Sequence, residues 1–232
     1  YSLYTTGKPN QDYRDLFVQE NCEGINEFIF AIKCDYGLAI FHNGTAYGLL
    51  PSQGRIGATR KFIDSYLMKD GSRYTDQAGW ESKEFAEQIA DRDPRLAQSF
   101  RTPGYTRIDG TDILAPDLSS CCTGYQTIKW VMSCKANGGD SDRVDRSTSD
   151  LPVYRYAEIL LIYAEAMAEL GKADQTVLNN TINLLRKRVG MPSLTVDVTA
   201  DPYLTNPDYG YTNPKLLANS NLALILEIRR ER

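Results

Sequence analysis

The chain contains 232 residues, of which 42% are hydrophobic and 24% are charged, a balance typical of a globular protein with a substantial core. Its formal net charge of −4 at pH 7 argues against a nucleic-acid partner, because there is no basic surface to neutralise phosphates. No stretch approaches the roughly 20 apolar residues that cross a bilayer, which argues against a membrane-spanning helix in these residues.

The first part of the chain predicts short elements separated by loops. Residues 12–20 indicate a short helix, and residues 27–33 indicate an extended segment. Residues 34–55 carry several glycines and aromatic residues without a sustained period, so we expect a loop there. Loops of this length in a compact domain are usually functional or disordered, and the aromatic content argues against disorder.

Three short helices are expected next. The apolar spacing predicts amphipathic helices over residues 59–67 and 82–90. Asp93 followed by Pro94 combines an N-cap residue with proline at the first helical position, which marks a third helix start. Residues 101–150 then alternate extended patches with glycine, aspartate and serine, which is typical of irregular structure.

Residues 153–192 predict two helices folded into a hairpin. The first helix is expected to end at Gly171, because glycine accepts the left-handed conformation found just past a helix C-terminus. The second is expected to begin at Asp174, an N-cap candidate, and to stop at Gly190. Apolar or small residues recur at three-and-four spacing, at Tyr156, Leu160, Tyr163, Ala164, Met167, Leu170, Val177, Leu178, Ile182, Leu185 and Val189.

A second long loop over residues 193–214 and a helix from about residue 219 complete the chain. These patterns predict a mainly α fold: a helical-hairpin (TPR-like) repeat scaffold with long irregular loops and a few short strands. Within one continuous domain, we expect residues 1–150 to form a loop-rich ligand-binding region with short helices. Residues 151–232 are expected to form the hairpin scaffold and the terminal helix.

The hairpin also carries a family pattern. Its five motifs are Arg-Tyr-Ala-Glu-Ile-Leu-Leu (155–161), Tyr-Ala-Glu-Ala (163–166), Glu-Leu-Gly (169–171), Ile-Asn-Leu-Leu-Arg (182–186) and Arg-Val-Gly-Met-Pro (188–192). Three weaker ones follow the same order, Asn-Glu-Phe-Ile-Phe (26–30), Arg-Asp-Pro-Arg-Leu (92–96) and Ile-Leu-Glu-Ile-Arg-Arg-Glu-Arg (225–232). In these motifs the chain resembles the SusD/RagB-like family of surface glycan-binding lipoproteins of Bacteroidetes.

The resemblance implies a function. It implies a non-catalytic protein on the extracellular face of the outer membrane that binds oligosaccharide or polysaccharide. The ligand would be passed to a SusC-like TonB-dependent transporter, over which such a protein sits as a lid. Members of the family are longer at both ends, so the chain is expected to be a fragment. Its membrane attachment would be a lipid anchor missing from these residues.

The loop aromatics are the candidate ligand platforms. Sugars have apolar C–H faces ringed by hydroxyl groups, and Tyr and Trp combine a flat apolar surface with a polar tip. The resemblance implies that the glycan is held on loops before the hairpin, which selects a set of candidate rings and hydrogen-bonding side chains: Tyr36, His42, Asn43, Tyr47, Tyr74 and Trp80. The structural alternative is that such rings cover the core.

Two functions other than glycan binding are also compatible with the sequence. Glu158 and Glu165 lie on one helix face, and a glycosidase uses two carboxylates about 5–10 Å apart. Because buried charges need partners, we instead expect these glutamates to pair with Arg155, Arg186 or Arg188 within the scaffold, and we expect no enzyme activity. A helical-repeat scaffold that binds only protein is the second alternative.

The sequence predicts neither a metal site nor a cofactor. The five cysteines contain no Cys-x-x-Cys pair, and the single histidine, His42, lies near no second ligand. The aspartates of residues 140–150 lack the glycine and glutamate of an EF-hand. Disulfides between Cys22 and Cys34 or between Cys122 and Cys134 suit an exported protein, but spacing leaves both open beside the alternative of free thiols.

Overall fold

A computed structural model describes all 232 residues and contains ten α-helices and one small sheet. The prediction of a mainly α fold is confirmed. The helices are α1 Asp12–Asp15, α2 Gly44–Leu49, α3 Arg60–Asp64, α4 Phe85–Ile89, α5 Pro94–Ser99, α6 Tyr156–Glu169, α7 Gln175–Asn179, α8 Ile182–Arg188, α9 Pro214–Leu217 and α10 Leu222–Arg230. The strands β1 Phe28–Ile32 and β2 Leu151–Arg155 pair antiparallel. No helix is long and apolar enough to cross a membrane.

The predicted hairpin is present with two corrections. Gly171 has φ +67° and follows the end of α6, and the Asp174 side chain accepts a hydrogen bond from the Val177 N–H, so the predicted stop and start are confirmed. However, the residues before Tyr156 are strand, because they pair with β1. The second helix is also divided into α7 and α8 at Thr181, whose ψ of −92° breaks the helical path.

The main core lies between the hairpin and the terminal helix. Helix α10 packs along α6, and α8 packs on the same side. The largest apolar cluster contains 13 buried residues drawn chiefly from these helices, including Leu160, Ala164, Ile182, Leu185 and Ile225. Small Ala164 and Ala168 are fully or almost fully buried, which allows close approach of the neighbouring helices.

The opposite face of α6 carries exposed apolar side chains. Ile159, Ile162, Tyr163 and Leu170 are all exposed, and their three-and-four spacing places them along one stripe. We call these four residues the α6 outer stripe. No other part of the chain covers this stripe. The apolar residues of α6 therefore lie on two faces of the helix, one packed into the core and one exposed.

A buried carboxylate joins the sheet to the hairpin. Glu27, just before β1, is 0% exposed and accepts hydrogen bonds from Arg155 at 2.9 Å and from Arg188 at 2.9 Å. It also accepts the backbone N–H of Tyr4 at 2.6 Å. Two guanidinium groups therefore neutralise one buried charge, as burial requires.

Helix α2 interrupts the segment 34–55 that the sequence predicted as loop. Gly48 lies in this helix, where an added methyl group would stand 2.6 Å from the Val131 side chain. Glycine is therefore needed for close packing of α2 against the segment after residue 127, although glycine-rich composition is typical of loops. The prediction was wrong for residues 44–49 because packing outweighed propensity.

The helix starts predicted at Thr59 and Asp93 are confirmed. Thr59 accepts a hydrogen bond from the Phe62 N–H, and Asp93 accepts one from the Arg95 N–H with Pro94 at the first helical position. No helix or strand occurs between the end of α8 and Pro214, which agrees with the predicted second long loop.

An ion-pair network holds the terminal helix. The Glu231 carboxylate accepts hydrogen bonds from Arg95 at 2.6 Å and from Arg186 at 2.7 Å. Burial by itself raises the pKa of Glu231, but these two guanidinium groups outweigh burial and hold its pKa below the ordinary value. Arg95 also pairs with Asp93, so α5, α8 and α10 are joined through one network.

We expect this network to make stability fall in acid. A carboxyl group whose pKa is depressed on folding stabilises the protein above its unfolded pKa of about 4.3 and loses that contribution as the pH drops through the folded pKa. Glu231→Gln should therefore be less stable than the wild type at pH 7, with the difference shrinking between about pH 5 and pH 3. Urea unfolding at pH 7, 5, 4 and 3 measures this. A difference that does not change with pH would contradict it.

Candidate functional site

Two of the candidate residues in segment 34–55 have exposed rings. Tyr36 is 48% exposed and Tyr47 is 45% exposed. The Tyr36 ring packs edge-on against Phe41 with centroids 5.5 Å apart, and its hydroxyl donates to Asp140 at 3.2 Å. We call the exposed rings of Tyr36 and Tyr47 the loop-34 surface. Both rings are available to a ligand.

His42 and Asn43 are engaged within the fold. The His42 Nδ1 accepts the Gly44 N–H at 2.9 Å, so Nε2 carries the proton that is donated to the Ser149 carbonyl at 2.8 Å. Burial lowers the pKa of His42, which favours this neutral ring. The Asn43 amide exchanges two hydrogen bonds with Asp145. Both side chains position the start of α2, the helix that carries Tyr47.

A second group of aromatic rings is built from segments far apart in the chain. Tyr74, Trp80, Tyr203 and Tyr209 follow one another with successive centroid distances of 6.0, 5.5 and 4.8 Å. We call these four residues the Trp80 cluster. The segment between α3 and α4, which carries Tyr74 and Trp80, therefore meets the second long loop at Trp80. The Trp80 indole lies partly exposed between Tyr74 and Tyr203.

Tyr74 does not fit the role that the sequence predicted for it. Its side chain is 1% exposed, its hydroxyl donates to the Trp80 carbonyl at 2.9 Å, and its ring lies 3.9 Å from the Arg92 guanidinium carbon. An aromatic ring that is almost completely buried cannot contact the face of a sugar. Tyr74 instead supports Trp80 from below, which is the core-covering alternative weighed for the loop aromatics.

A recess of about 270 Å³ opens beside the Trp80 cluster. This volume is close to the lower end of the range of about 300–1,000 Å³ for small-molecule sites. Its walls combine aromatic rings with hydroxyl and ammonium groups from α3 and from the second long loop, namely Thr59, Lys61, Phe62, Ser65, Tyr203, Leu204, Tyr209, Gly210 and Tyr211. We call it the tyrosine recess.

Lys61 and Tyr211 present the accessible chemistry of the tyrosine recess. The Lys61 ammonium lies 4.9 Å from the Tyr209 centroid and forms no ion pair, so it is free to donate hydrogen bonds to a ligand. Tyr211 is 38% exposed at the rim. The Tyr203 hydroxyl donates to the Lys61 carbonyl at 3.2 Å, which ties the second loop to α3. Burial raises the pKa of Tyr203 and of Tyr209, so both phenols stay neutral.

A tight turn positions these tyrosines. The Tyr211 N–H donates to the Leu204 carbonyl at 2.6 Å, and the Gly210 N–H donates to the Asn206 carbonyl at 2.6 Å. A methyl group on Gly210 would collide with that same Leu204 carbonyl, so glycine is required here. Tyr203, Tyr209 and Tyr211 are not among the candidate residues selected from the sequence. The run Asn-Pro-Asp-Tyr-Gly-Tyr at 206–211 was the available signal.

The SusD family model matches residues 35–232, which is most of the chain. The chain belongs to the SusD family. The SusD-like architecture is also seen in solved structures. A SusD-like protein from Bacteroides fragilis NCTC 9343 has a TM-score of 0.63 and 21% identity over 100% of this chain and 44% of that chain.

Two further solved structures share the SusD-like fold. A SusD-like carbohydrate binding protein from Bacteroides fragilis NCTC 9343 has a TM-score of 0.58 and 22% identity, covering 93% of this chain and 42% of that chain. A SusD superfamily protein from Parabacteroides distasonis ATCC 8503 has a TM-score of 0.50 and 18% identity over 99% and 40%. The chain thus spans less than half the length of these structures. No curated protein sequence matches it.

In this SusD-family chain only one of the two predicted hairpin glutamates forms ion pairs, and its partners are not the predicted arginines. Glu165 pairs with Arg229 at 2.7 Å and with Arg232 at 3.0 Å, both on or just after α10. Glu158 forms no ion pair. Arg155 and Arg188 instead form ion pairs with Glu27, which precedes β1. The partners of these two arginines therefore come from a distant part of the chain and not from the hairpin.

Proposed function

We propose that this chain binds an oligosaccharide at the tyrosine recess and does not cleave it. The observation that carries the proposal is the recess itself, in which several aromatic rings surround a space of about 270 Å³ and a free ammonium group stands at the wall. Flat rings match the apolar faces of sugars, and the nearby donors match their hydroxyl groups. One of the structural neighbours is a SusD-like carbohydrate binding protein, which supports the same class of ligand.

In the proposed complex, Tyr209 and Tyr211 contact the faces of one sugar ring. Lys61 donates hydrogen bonds to hydroxyl or ring oxygens, and Trp80 extends the apolar surface beyond the recess. The exposed rings of the loop-34 surface, Tyr36 and Tyr47, are proposed to contact a separate part of a longer glycan. His42 and Asn43 hold the shape of that surface, since their polar atoms are already bonded to the protein.

The non-catalytic half of the proposal rests on the hairpin carboxylates. Glu165 is held by two arginines, so both of its carboxylate oxygens are engaged within the scaffold. Glycoside hydrolysis needs one carboxyl group as an acid and a second as a base or nucleophile. The arrangement around Glu165 supports a scaffold role instead.

Tyr209→Ala and Tyr211→Ala are each expected to weaken glycan binding by about tenfold or more, because each removes a face of the recess. Isothermal titration with neutral oligosaccharides that bind the wild type measures the change in Kd. Tyr163→Ala is the matched control, since Tyr163 is an exposed tyrosine on the α6 outer stripe, and it should bind like the wild type.

The outcomes separate the candidate surfaces. Loss of binding in Tyr36→Ala and Tyr47→Ala, with the recess variants unaffected, would place the ligand on the loop-34 surface. Measurable product formation by the purified chain would refute the non-catalytic proposal. Absence of any glycan response would favour the alternative below.

The alternative is a helical-repeat scaffold that binds protein. The observation that favours it is the α6 outer stripe, since Ile159, Ile162 and Leu170 form an uncovered apolar row of the kind that a stacked helix pair covers. In this proposal the hairpin is one unit of a TPR-like repeat. The stripe and the tyrosine recess involve different residues, so scaffold and glycan functions are compatible.

We further propose the setting that the family implies. The whole protein is proposed to be a lipoprotein on the extracellular face of the outer membrane, with its anchor outside these residues. Its partner is proposed to be a SusC-like TonB-dependent transporter that imports the captured glycan. Within the chain, residues 1–150 are assigned mainly to ligand binding and residues 151–232 to the scaffold, with Tyr203, Tyr209 and Tyr211 reaching back to the binding side.

A further inference from the structure

Two cysteines far from the tyrosine recess share one carboxylate. The backbone N–H of Cys22 donates to one oxygen of Asp150 at 2.8 Å, and the backbone N–H of Cys34 donates to the other oxygen at 2.9 Å. Because both bonds end on a single carboxylate, the two amide nitrogens lie within about 8 Å of each other. Asp150 is itself buried, so the contact is a fixed part of the fold.

The two thiols lie in the same buried environment. Cys22 and Cys34 are both buried, and both are free thiols in this structure. Burial, with Asp150 and Cys34 adding to it, raises the pKa of Cys22 to about 12, and burial raises the pKa of Cys34 in the same way. The remaining three cysteines, Cys121, Cys122 and Cys134, make no comparable shared contact.

We propose that Cys22 and Cys34 form a disulfide when the protein folds outside the cytoplasm. Disulfides join residues whose Cα atoms are about 4.4–6.8 Å apart, and the shared Asp150 carboxylate brings the backbones of Cys22 and Cys34 close to each other although they are 12 residues apart. The pairing rests on the export proposed above and is independent of glycan binding. It selects one of the two pairings that spacing left open.

The oxidant is a disulfide of the thiol–disulfide exchange class. The Cys22 or Cys34 thiolate attacks it, forms a mixed disulfide and releases one reduced thiol. The second cysteine then attacks the mixed disulfide, which closes the Cys22–Cys34 bond and releases the second thiol. Two protein thiols are oxidised, and one external disulfide is reduced to two thiols. In the folded protein the high pKa leaves little thiolate at pH 7, so the bond forms during folding, before burial.

The disulfide would enclose β1 and the ion-paired Glu27. The loop between the two cysteines contains the whole of Phe28–Ile32, so the cross-link would restrict the unfolded chain around the strand that pairs with β2. Once formed, the bond would lie among buried side chains of the folded protein.

Peptide mapping tests the pairing directly. Trypsin cleaves after Lys33, which places Cys22 in residues 15–33 and Cys34 in residues 34–55. In protein exported to an oxidising compartment and alkylated without reduction, we expect these two peptides to be joined, with the loss of two hydrogens. Full alkylation of both cysteines, or a link from either one to Cys121, Cys122 or Cys134, would overturn the proposal.

Thermal unfolding provides the second measurement. Reduction of the exported wild type is expected to lower its Tm by roughly 6–12 °C, as for a loop of this size in a chain of this length. The paired change Cys22→Ser with Cys34→Ser should abolish this response to reductant, whereas Cys122→Ser at an exposed position should keep it. A wild-type Tm that is the same before and after reduction would also overturn the proposal.

Discussion

Glu27→Ala is expected to lower the free energy of unfolding by about 3–5 kcal/mol, which is the range for removal of one partner from a buried ion pair. The variant leaves Arg188 buried without a counter-charge and Arg155 without its only carboxylate. It also leaves the Tyr4 N–H without its acceptor. Urea unfolding followed by circular dichroism measures the change.

Glu23→Ala is the matched control, because Glu23 is exposed in the same segment and forms no ion pair. Its effect should stay within about 0.5 kcal/mol, as for ordinary surface substitutions. Glu27→Gln keeps the side-chain volume and removes only the charge, so it should recover little of the lost stability. If Glu27→Gln were as stable as the wild type, the ion pairs would contribute nothing and packing alone would hold this corner.

Arg92→Ala is expected to cost about 3 kcal/mol or more, because the buried carbonyl groups that it bonds would lose their donor. The Arg92 guanidinium donates to the carbonyl oxygens of Gln88 at 2.6 Å, Tyr66 at 2.7 Å and Ile63 at 2.8 Å. Its planar face lies on the Tyr74 ring. Arg92→Lys retains a charge but not the planar fork, so it should remain strongly destabilised.

Arg143→Ala provides the control for Arg92. Arg143 is an exposed arginine that pairs with Asp140 three residues earlier, and exposed pairs contribute about 0–1 kcal/mol. Because Arg92 supports Tyr74 and Tyr74 supports Trp80, the Arg92 variants should also weaken glycan binding at temperatures where they remain folded. Wild-type stability in Arg92→Ala would show that water replaces the lost donor.

The features that the sequence predicted correctly are those encoded within one helical turn. Asp93 with Pro94 marks a helix start, and Gly171 marks a helix end, whatever lies elsewhere in the chain. The family motifs extended this success to the overall architecture. The strand before α6 was missed because its partner, β1, lies more than 100 residues earlier and local spacing carries no sign of it.

The sequence predicted the type of side chain at the candidate site better than it predicted which individual residues are exposed there. The loop aromatics were recognised as the relevant side chains, but which of them face solvent depends on contacts between distant loops. Tyr74 is covered by Arg92, which stacks on its ring, and Tyr209 lines the tyrosine recess beside Tyr203, whose hydroxyl bonds to Lys61. Neither contact has a periodic or spacing signature.

The direct passage of β2 into α6 limits how the protein can be divided. Arg155 ends the strand and Tyr156 begins the helix, so no linker separates them. A shortened protein that contained only residues 151–232 would have β2 without its partner strand β1. It would also have Arg155 and Arg188 without Glu27, the carboxylate that they share. Transferring the loops of residues 1–150 to another scaffold would meet the same obstacle, since Glu27 would then lack Arg155 and Arg188.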